Sequence, residues 1–176
     1  MCAVVRWVLA VVAGVLLAGH ASSADAGEGA VALRLGTTLG DDGFRSQELE
    51  WRAGLWRRFT ADNGWSARFK GGAHAGRVAV DGERLVMAGG LFGLRLAPPQ
   101  GPFTITVGTG PVRMSRSTLG GRDFGGPWQF TSWAGVELAL AASVAVGYRV
   151  QHTSNAGLHR PNPGFDLQTL ELRVRY

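Results

Sequence analysis

An all-β chain that closes into an eight-stranded antiparallel transmembrane barrel is the fold this sequence predicts, on three observations. Beyond residue 30 the hydrophobic period is two, in eight alternating segments separated by turn-forming residues. Most of the segments reach the roughly 9–11 residues that a tilted strand needs to cross a bilayer, about twice an ordinary soluble strand. An export signal precedes them, and the last segment ends on an aromatic residue, Tyr176, which resembles the assembly signal of outer-membrane barrels.

The N-terminus reads as an address. Arg6 supplies the positive region, Trp7 to Gly19 the apolar core, and Ala21-Ser22-Ser23-Ala24-Asp25-Ala26 the small-residue cleavage region. The apolar run is too short to span a bilayer as a helix. The expected division is therefore a signal peptide over 1–26 and an outer-membrane barrel domain over 27–176. Cys2 is the only cysteine and lies ahead of the apolar run, so neither a disulfide nor a lipid anchor is expected.

In order, the segments cover 30–38, 46–60, 64–80, 83–97, 102–114, 127–141, 143–154 and 166–176. Between them lie Asp41-Asp42-Gly43, Asp62-Asn63-Gly64, Asp81-Gly82, Ala97-Pro98-Pro99-Gln100-Gly101, Gly120-Gly121-Arg122-Asp123 and an Asn/Pro/Gly stretch at 155–164. In the second segment Leu49, Trp51, Ala53, Leu55 and Phe59 share one face, and Glu48, Glu50, Arg52 and Arg58 the other. The last segment sets Leu170, Leu172, Val174 and Tyr176 against Glu171, Arg173 and Arg175. In a membrane barrel the apolar face meets lipid and the charged face looks into the lumen.

Composition narrows the function classes. With 176 residues, 45% apolar and 18% charged, the chain is one domain and not a disordered one. Its 27 glycines lack a collagen period and serve strands and turns. The net charge of +5 comes from arginines scattered along the segments, with lysine confined to Lys70. A nucleic-acid partner would require clustering; arginines interleaved with Trp and Phe instead suit phosphorylated lipid headgroups or, as the simpler reading, a barrel lumen or rim. Trp51, Trp56, Trp65, Trp128, Phe130 and Trp133 are candidates for interfacial girdles, with a core or loop role the equal alternative for any single one. No metal-ligand spacing, phosphate-binding glycine motif or cofactor fingerprint occurs, so no metal and no cofactor is expected. His20 and His74 have no partner in sequence.

Chemistry concentrates in the stretch from Tyr148 to Asp166, which contains a serine, histidines and an acid. A serine needs a base to become a nucleophile, and the base needs a third group to hold its tautomer. His152 and Ser154 are two apart and share the parity of Val144, Val146, Tyr148 and Val150, so both project from the lipid-facing side. Asp166 has the parity of Leu170 and Leu172 and is expected there too. Polar groups on such a face are expensive unless they satisfy one another or act on a lipid. With the N-terminus in the periplasm, the seventh segment ends on the extracellular side. The trio therefore lies at the outer rim, level with the leaflet that holds lipopolysaccharide in Gram-negative bacteria.

The run His152-Thr153-Ser154-Asn155-Ala156-Gly157, then Asn162-Pro163-Gly164 and an acid, resembles the active-site signature of the PagL-type lipid A 3-O-deacylases. Gly126-Pro127-Trp128-Gln129-Phe130 is also similar to that family. The resemblance implies an eight-stranded outer-membrane esterase that removes the 3-O-linked acyl chain of lipid A without a metal. It implies Ser154 as nucleophile, His152 as base and Asp166 as the acid, with Asn162 and backbone amides around Asn155 as oxyanion donors. Lipid A and outer-membrane lipids are the implied partners, and a homodimer is compatible with it. The family's acid is a glutamate, so the shorter aspartate needs a local shift to reach His152. Two other readings compete: a non-catalytic small outer-membrane barrel in adhesion or structural support, with an inert Ser154, and a soluble periplasmic ligand-binding barrel.

Overall fold

The computed structural model describes residues 29–40 and 43–176, without the side chains of 54–58. The signal peptide expected over 1–26 and the side chains of Leu55, Trp56 and Arg58 lie outside the described residues. Ten strands follow in order: β1 Ala30–Thr38, β2 Arg45–Thr60, β3 Ser66–Val80, β4 Glu83–Ala97, β5 Phe103–Met114, β6 Thr118–Leu119, β7 Arg122–Asp123, β8 Trp128–Ala139, β9 Val144–Ser154 and β10 Phe165–Arg175. Eight of them form a closed barrel in which chain neighbours pair antiparallel and β1 pairs with β10. Closure leaves no open sheet edge, which is the condition for crossing a membrane with strands.

The connections differ between the two ends. Short turns at 61–65, 98–102 and 140–143 lie at the end that carries the described chain ends, and 39–40 with 43–44, 81–82, 115–127 and 155–164 lie at the other. Short turns on the periplasmic side and longer loops outside are the pattern of outer-membrane barrels. The end that carries the 155–164 loop is called the outer end below.

Period-two alternation sorts the side chains as expected. Leu49, Trp51, Phe59, Leu170, Leu172 and Tyr176 are exposed on the outer wall, while Glu48, Glu50, Arg52, Glu171 and Arg173 are buried in the lumen. An eight-stranded barrel is narrow enough for side chains to fill, and two kinds of filling divide the interior. In one part Arg34 bonds Glu171 at 2.7 Å and Glu48 at 3.3 Å and pairs with Glu50, while Arg173 joins Glu137 to Glu171. Pairing of this kind is what allows charges to remain out of water. Toward the outer end the filling is apolar: Phe44, Val78, Leu85, Met87, Phe124 and Phe165 belong to one buried cluster.

One expectation needs correction, and one open alternative is settled. The stretch around Gly120 is not only a turn, because Thr118 and Leu119 pair with Asp123 and Arg122 in a two-residue ladder. Gly120 and Gly121, at φ 57° and 72°, supply the left-handed conformations that so tight a hairpin requires. The hairpin buries Leu119 and leads into buried Phe124, closing the outer end of the lumen. Trp133 is not a girdle residue. Its parity on β8 turns it inward, where it is 7% exposed and lies 4.3 Å below the Arg149 guanidinium. Room for the indole comes from Gly108, where a Cβ would lie 2.1 Å from Trp133 Cζ2. Trp51, Trp65, Trp128 and Phe130 do face outward.

Candidate active site

The last two strands carry the chemistry. His152 and Asp166 are direct partners across the β9–β10 ladder, and their flanking residues act as anchors. Gln151 and Thr153 are buried in the lumen on either side of His152, and Phe165 and Leu167 are buried on either side of Asp166. Thr153 Oγ1 is also 2.9 Å from Thr131 Oγ1 on β8. With each neighbour fixed inward, the pleat drives His152 and Asp166 outward.

His152 Nδ1 and Asp166 Oδ1 are 2.8 Å apart, and the two side chains are 53% and 58% exposed on the wall. An ionised carboxylate only accepts, so the contact favours Nδ1–H and leaves the Nε2 lone pair free for a proton. The short aspartate reaches because Cβ atoms of directly opposed residues lie only about 4.5–5.5 Å apart; no shift of the loop is needed.

Ser154 ends β9 on the same face, with Phe130 of β8 as its cross-strand partner. The loop returns over it at Gly164, whose φ is 59°. A Cβ at Gly164 would lie 2.9 Å from His152 Cε1 and 3.1 Å from Ser154 Cβ, so His152 and Ser154 flank one small space. Among the described residues no hydrogen bond joins Ser154 to His152. The two are adjacent and unengaged, as catalytic pairs often are without substrate.

Asn155 has a different task from the one its position suggests. It is fully buried, and its Nδ2 lies within hydrogen-bond reach of the carbonyls of Phe124 at 3.0 Å, His159 at 3.0 Å and Pro161 at 3.2 Å. Its Oδ1 accepts from Gly157 N, and its own N–H donates to Asn162 Oδ1 at 3.0 Å. Neither the side-chain nor the main-chain donor of Asn155 is therefore open to an oxyanion; the residue holds the loop. That last bond orients Asn162. Because its oxygen receives the Asn155 N–H, its Nδ2 is left as a donor on an exposed residue.

Sequence reasoning missed the support beneath this loop, although Gly126-Pro127-Trp128-Gln129-Phe130 signalled it without a role. Gln129 Nε2 donates to the Phe124 and Gly126 carbonyls at 3.1 and 2.8 Å, so the turn before β8 and the loop after β9 share the Phe124 carbonyl. A Cβ at Gly125 would lie 2.1 Å from the Pro161 oxygen, which ties that position to glycine. His159 and Arg160 are exposed in the loop. Among the described residues no group of three or more His, Cys, Asp or Glu side chains gathers as metal ligands would.

Residues 45–175 match the family model for lipid A 3-O-deacylase (PagL). The chain is 35% identical over 74 residues to the lipid A deacylase PagL of Bordetella bronchiseptica, and 34% over 73 residues to that of Pseudomonas aeruginosa. Each alignment covers 42% of this chain and 42% of the relative, so the matched stretch spans less than half of either protein. Among solved structures, that of the outer membrane enzyme PagL superposes with a TM-score of 0.69 at 21% identity, covering 82% of this chain and 98% of the other. The N-terminal β-barrel domain of Pseudomonas aeruginosa OprF follows with a TM-score of 0.56 at 8% identity, covering 86% and 98%. At these identities both structures bear on the fold.

Proposed function

The chain belongs to the lipid A 3-O-deacylase (PagL) family, and from that membership we propose that it is an exported outer-membrane serine esterase that removes the 3-O-linked acyl chain of lipid A. The observation that carries the reading is the 2.8 Å His152–Asp166 pair on the outward wall, one residue pair from Ser154. On a face otherwise lined by Leu170, Tyr148 and Phe130, a base and an acid are costly ornaments unless the substrate is itself a lipid.

In this mechanism Ser154 Oγ attacks the ester carbonyl as His152 Nε2 takes its proton. Asp166 holds the ring and stabilises the imidazolium. Asn162 Nδ2 donates to the oxyanion of the tetrahedral intermediate. Collapse breaks the bond to the sugar oxygen, which leaves as the 3-hydroxyl with the proton from His152. The acyl group then rests on Ser154 as an ester. Water, deprotonated by His152, attacks that ester and releases the fatty acid and Ser154. The role of Asn155 is to position Asn162 and the loop. The signal over 1–26 supplies export, and the end bearing the 155–164 loop faces the outer leaflet.

The test is mass spectrometry of lipid A from cells producing the wild-type chain, Ser154→Ala or His152→Ala, each verified in the outer membrane. Loss of one 3-hydroxyacyl group with the wild type alone is the expected result. Unchanged lipid A in all three would sink the deacylase reading and leave the non-catalytic barrel standing.

A further inference from the structure

A second polar feature lies on the outer wall, apart from the catalytic trio. Arg45 opens β2, Arg77 lies near the outer end of β3 and Arg84 near the start of β4, and all three are exposed. Arg45 is opposite Ala79, which is opposite Arg84, and Arg77 is opposite Gln47. Three guanidinium-bearing side chains thus surround Ala79, whose methyl group leaves the space between them unfilled. With Leu35, Thr37 and Gln47 they line a cleft of about 580 Å³.

Among the described residues the charges in this cleft have no carboxylate partner. Glu83, the carboxylate among the described lining residues, accepts from the Gly120 N–H at 3.2 Å and pairs with Arg116 at 3.5 Å. Arg77 Nε donates to Gln47 Oε1 at 2.9 Å, which steadies the side chain while its terminal nitrogens stay open to another acceptor. Among the described residues no carboxylate pairs with Arg45, Arg77 or Arg84. Below and beside them the wall is apolar, with Leu35, Leu49 and Val86 exposed. Cations on a lipid-facing wall are unfavourable unless an anion meets them there, and planar guanidinium groups match phosphate oxygens two at a time.

The cleft is within reach of the catalytic strands. Thr37 of β1 pairs with Gln168 of β10 on one side and Arg45 on the other. Arg45 is therefore two strand spacings from the strand of Asp166, about 10 Å, and three from that of Ser154, about 14 Å. Gln168 is in turn opposite Val150, four residues and about 13 Å short of Ser154, so Arg45 and Ser154 are about 19 Å apart at the backbone, a span that a phosphorylated sugar headgroup met by extended arginine side chains can cover. We propose that Arg45, Arg77 and Arg84 form a phosphate subsite that holds a phosphate monoester of the glycolipid whose acyl ester lies at Ser154. This rests on the lipid A reading and adds to it the group by which the substrate is recognised and turned.

Binding can be measured without turnover. Full-length Ser154→Ala barrel, folded in detergent, is incubated with phosphorylated lipid A or with enzymatically dephosphorylated lipid A, and retained lipid is counted by native mass spectrometry. The phosphorylated lipid is expected to be retained about tenfold more tightly. Adding R45Q, R77Q and R84Q together reduces that preference to about twofold or less, and the single substitutions R45Q and R84Q reduce it in part. Equal retention of both lipids, or a preference that survives all three substitutions, overturns the subsite. Displacement of the lipid by millimolar inorganic phosphate would assign the arginines to the free ion and overturn the lipid reading. In turnover by the otherwise wild-type barrel, the same substitutions raise KM for phosphorylated lipid A and leave kcat unchanged. Wild-type protein that binds with the predicted preference but never cleaves would instead refute the esterase reading alone.

Discussion

Among the described residues two histidine–carboxylate pairs sit on this barrel, and they face opposite ways. His152 and Asp166 meet at 2.8 Å on the outer wall, each more than half exposed. His74 and Glu48 meet at 3.6 Å inside the lumen, with side chains 3% and 0% exposed. Register explains the distances. His152 is directly opposite Asp166, whereas His74 is opposite Glu50 and reaches Glu48 only on the diagonal, where Cβ atoms are about 7–8 Å apart. Glu48 is also shared, because Arg34 and Gln151 draw on it at 3.3 and 3.1 Å. The same two residue types thus make a hydrogen-bonded pair on the lipid-facing wall and a looser, enclosed contact in the lumen. Strand parity decides which.

The largest effect should come from the outward pair and its serine. Ser154→Ala is expected to lower kcat for lipid A deacylation by about 10⁴-fold or more, and His152→Ala similarly. The double variant should be no worse than either single one, since the residues act as a unit. Heat-modifiable electrophoretic mobility of the folded barrel should stay at the wild-type value. A Ser154→Ala barrel that retained about a tenth of the activity would break the comparison.

Glu48→Ala should act in the opposite sense. It strips Arg34 and Gln151 of a shared acceptor inside the lumen, and breaking a buried pair from one side costs about 3–5 kcal/mol. Urea unfolding in lipid vesicles measures the loss. Turnover per folded molecule is expected to remain within about twofold of wild type, and a selective loss of kcat would give the inward pair a catalytic part.

Asn155→Ala tests what lies between the two faces, since its buried amide bonds three loop carbonyls. Leaving those groups unsatisfied costs about 1–3 kcal/mol, confined to the loop. Activity should fall on the order of tenfold, with faster hydrogen exchange over 156–161 and little change in the unfolding midpoint of the barrel. Normal exchange in the loop together with lost activity would return Asn155 to the oxyanion site.

The eight barrel strands were legible because a half-buried strand writes its two faces into alternate residues, as in Glu48 to Arg52. The outward placement of His152, Ser154 and Asp166 was legible for the same reason. Thr118–Leu119 with Arg122–Asp123 is too short to carry a period, so only the turn between them could be read. Trp133 stayed open between girdle and core, and the glycine that makes room for it inside belongs to another strand, Gly108 of β5. Asn155 misled because its partners at Phe124, His159 and Pro161 are main-chain carbonyls, which no side-chain pattern announces. The Glu48 partner of His74 requires the β2–β3 register, and the Arg45–Arg77–Arg84 cleft requires that of three strands.

The smallest effect sharpens the comparison most. The resemblance implies a glutamate where Asp166 stands, and the diagonal Glu48–His74 contact illustrates where a longer acid is suited to reach. Direct opposition across β9–β10 lets the shorter acid reach 2.8 Å unaided, and both side chains are open enough for a longer one to bend into place. Asp166→Glu is therefore expected to keep kcat/KM within about fivefold of wild type, well under 1.4 kcal/mol of transition-state stabilisation. Asp166→Ala, which leaves the ring without its acceptor, should lose several hundredfold or more. The two measured side by side on lipid A separate reach from charge. A glutamate variant as slow as the alanine variant would mean that the catalytic contact depends on the length of the acid, and that cross-strand opposition alone does not set it.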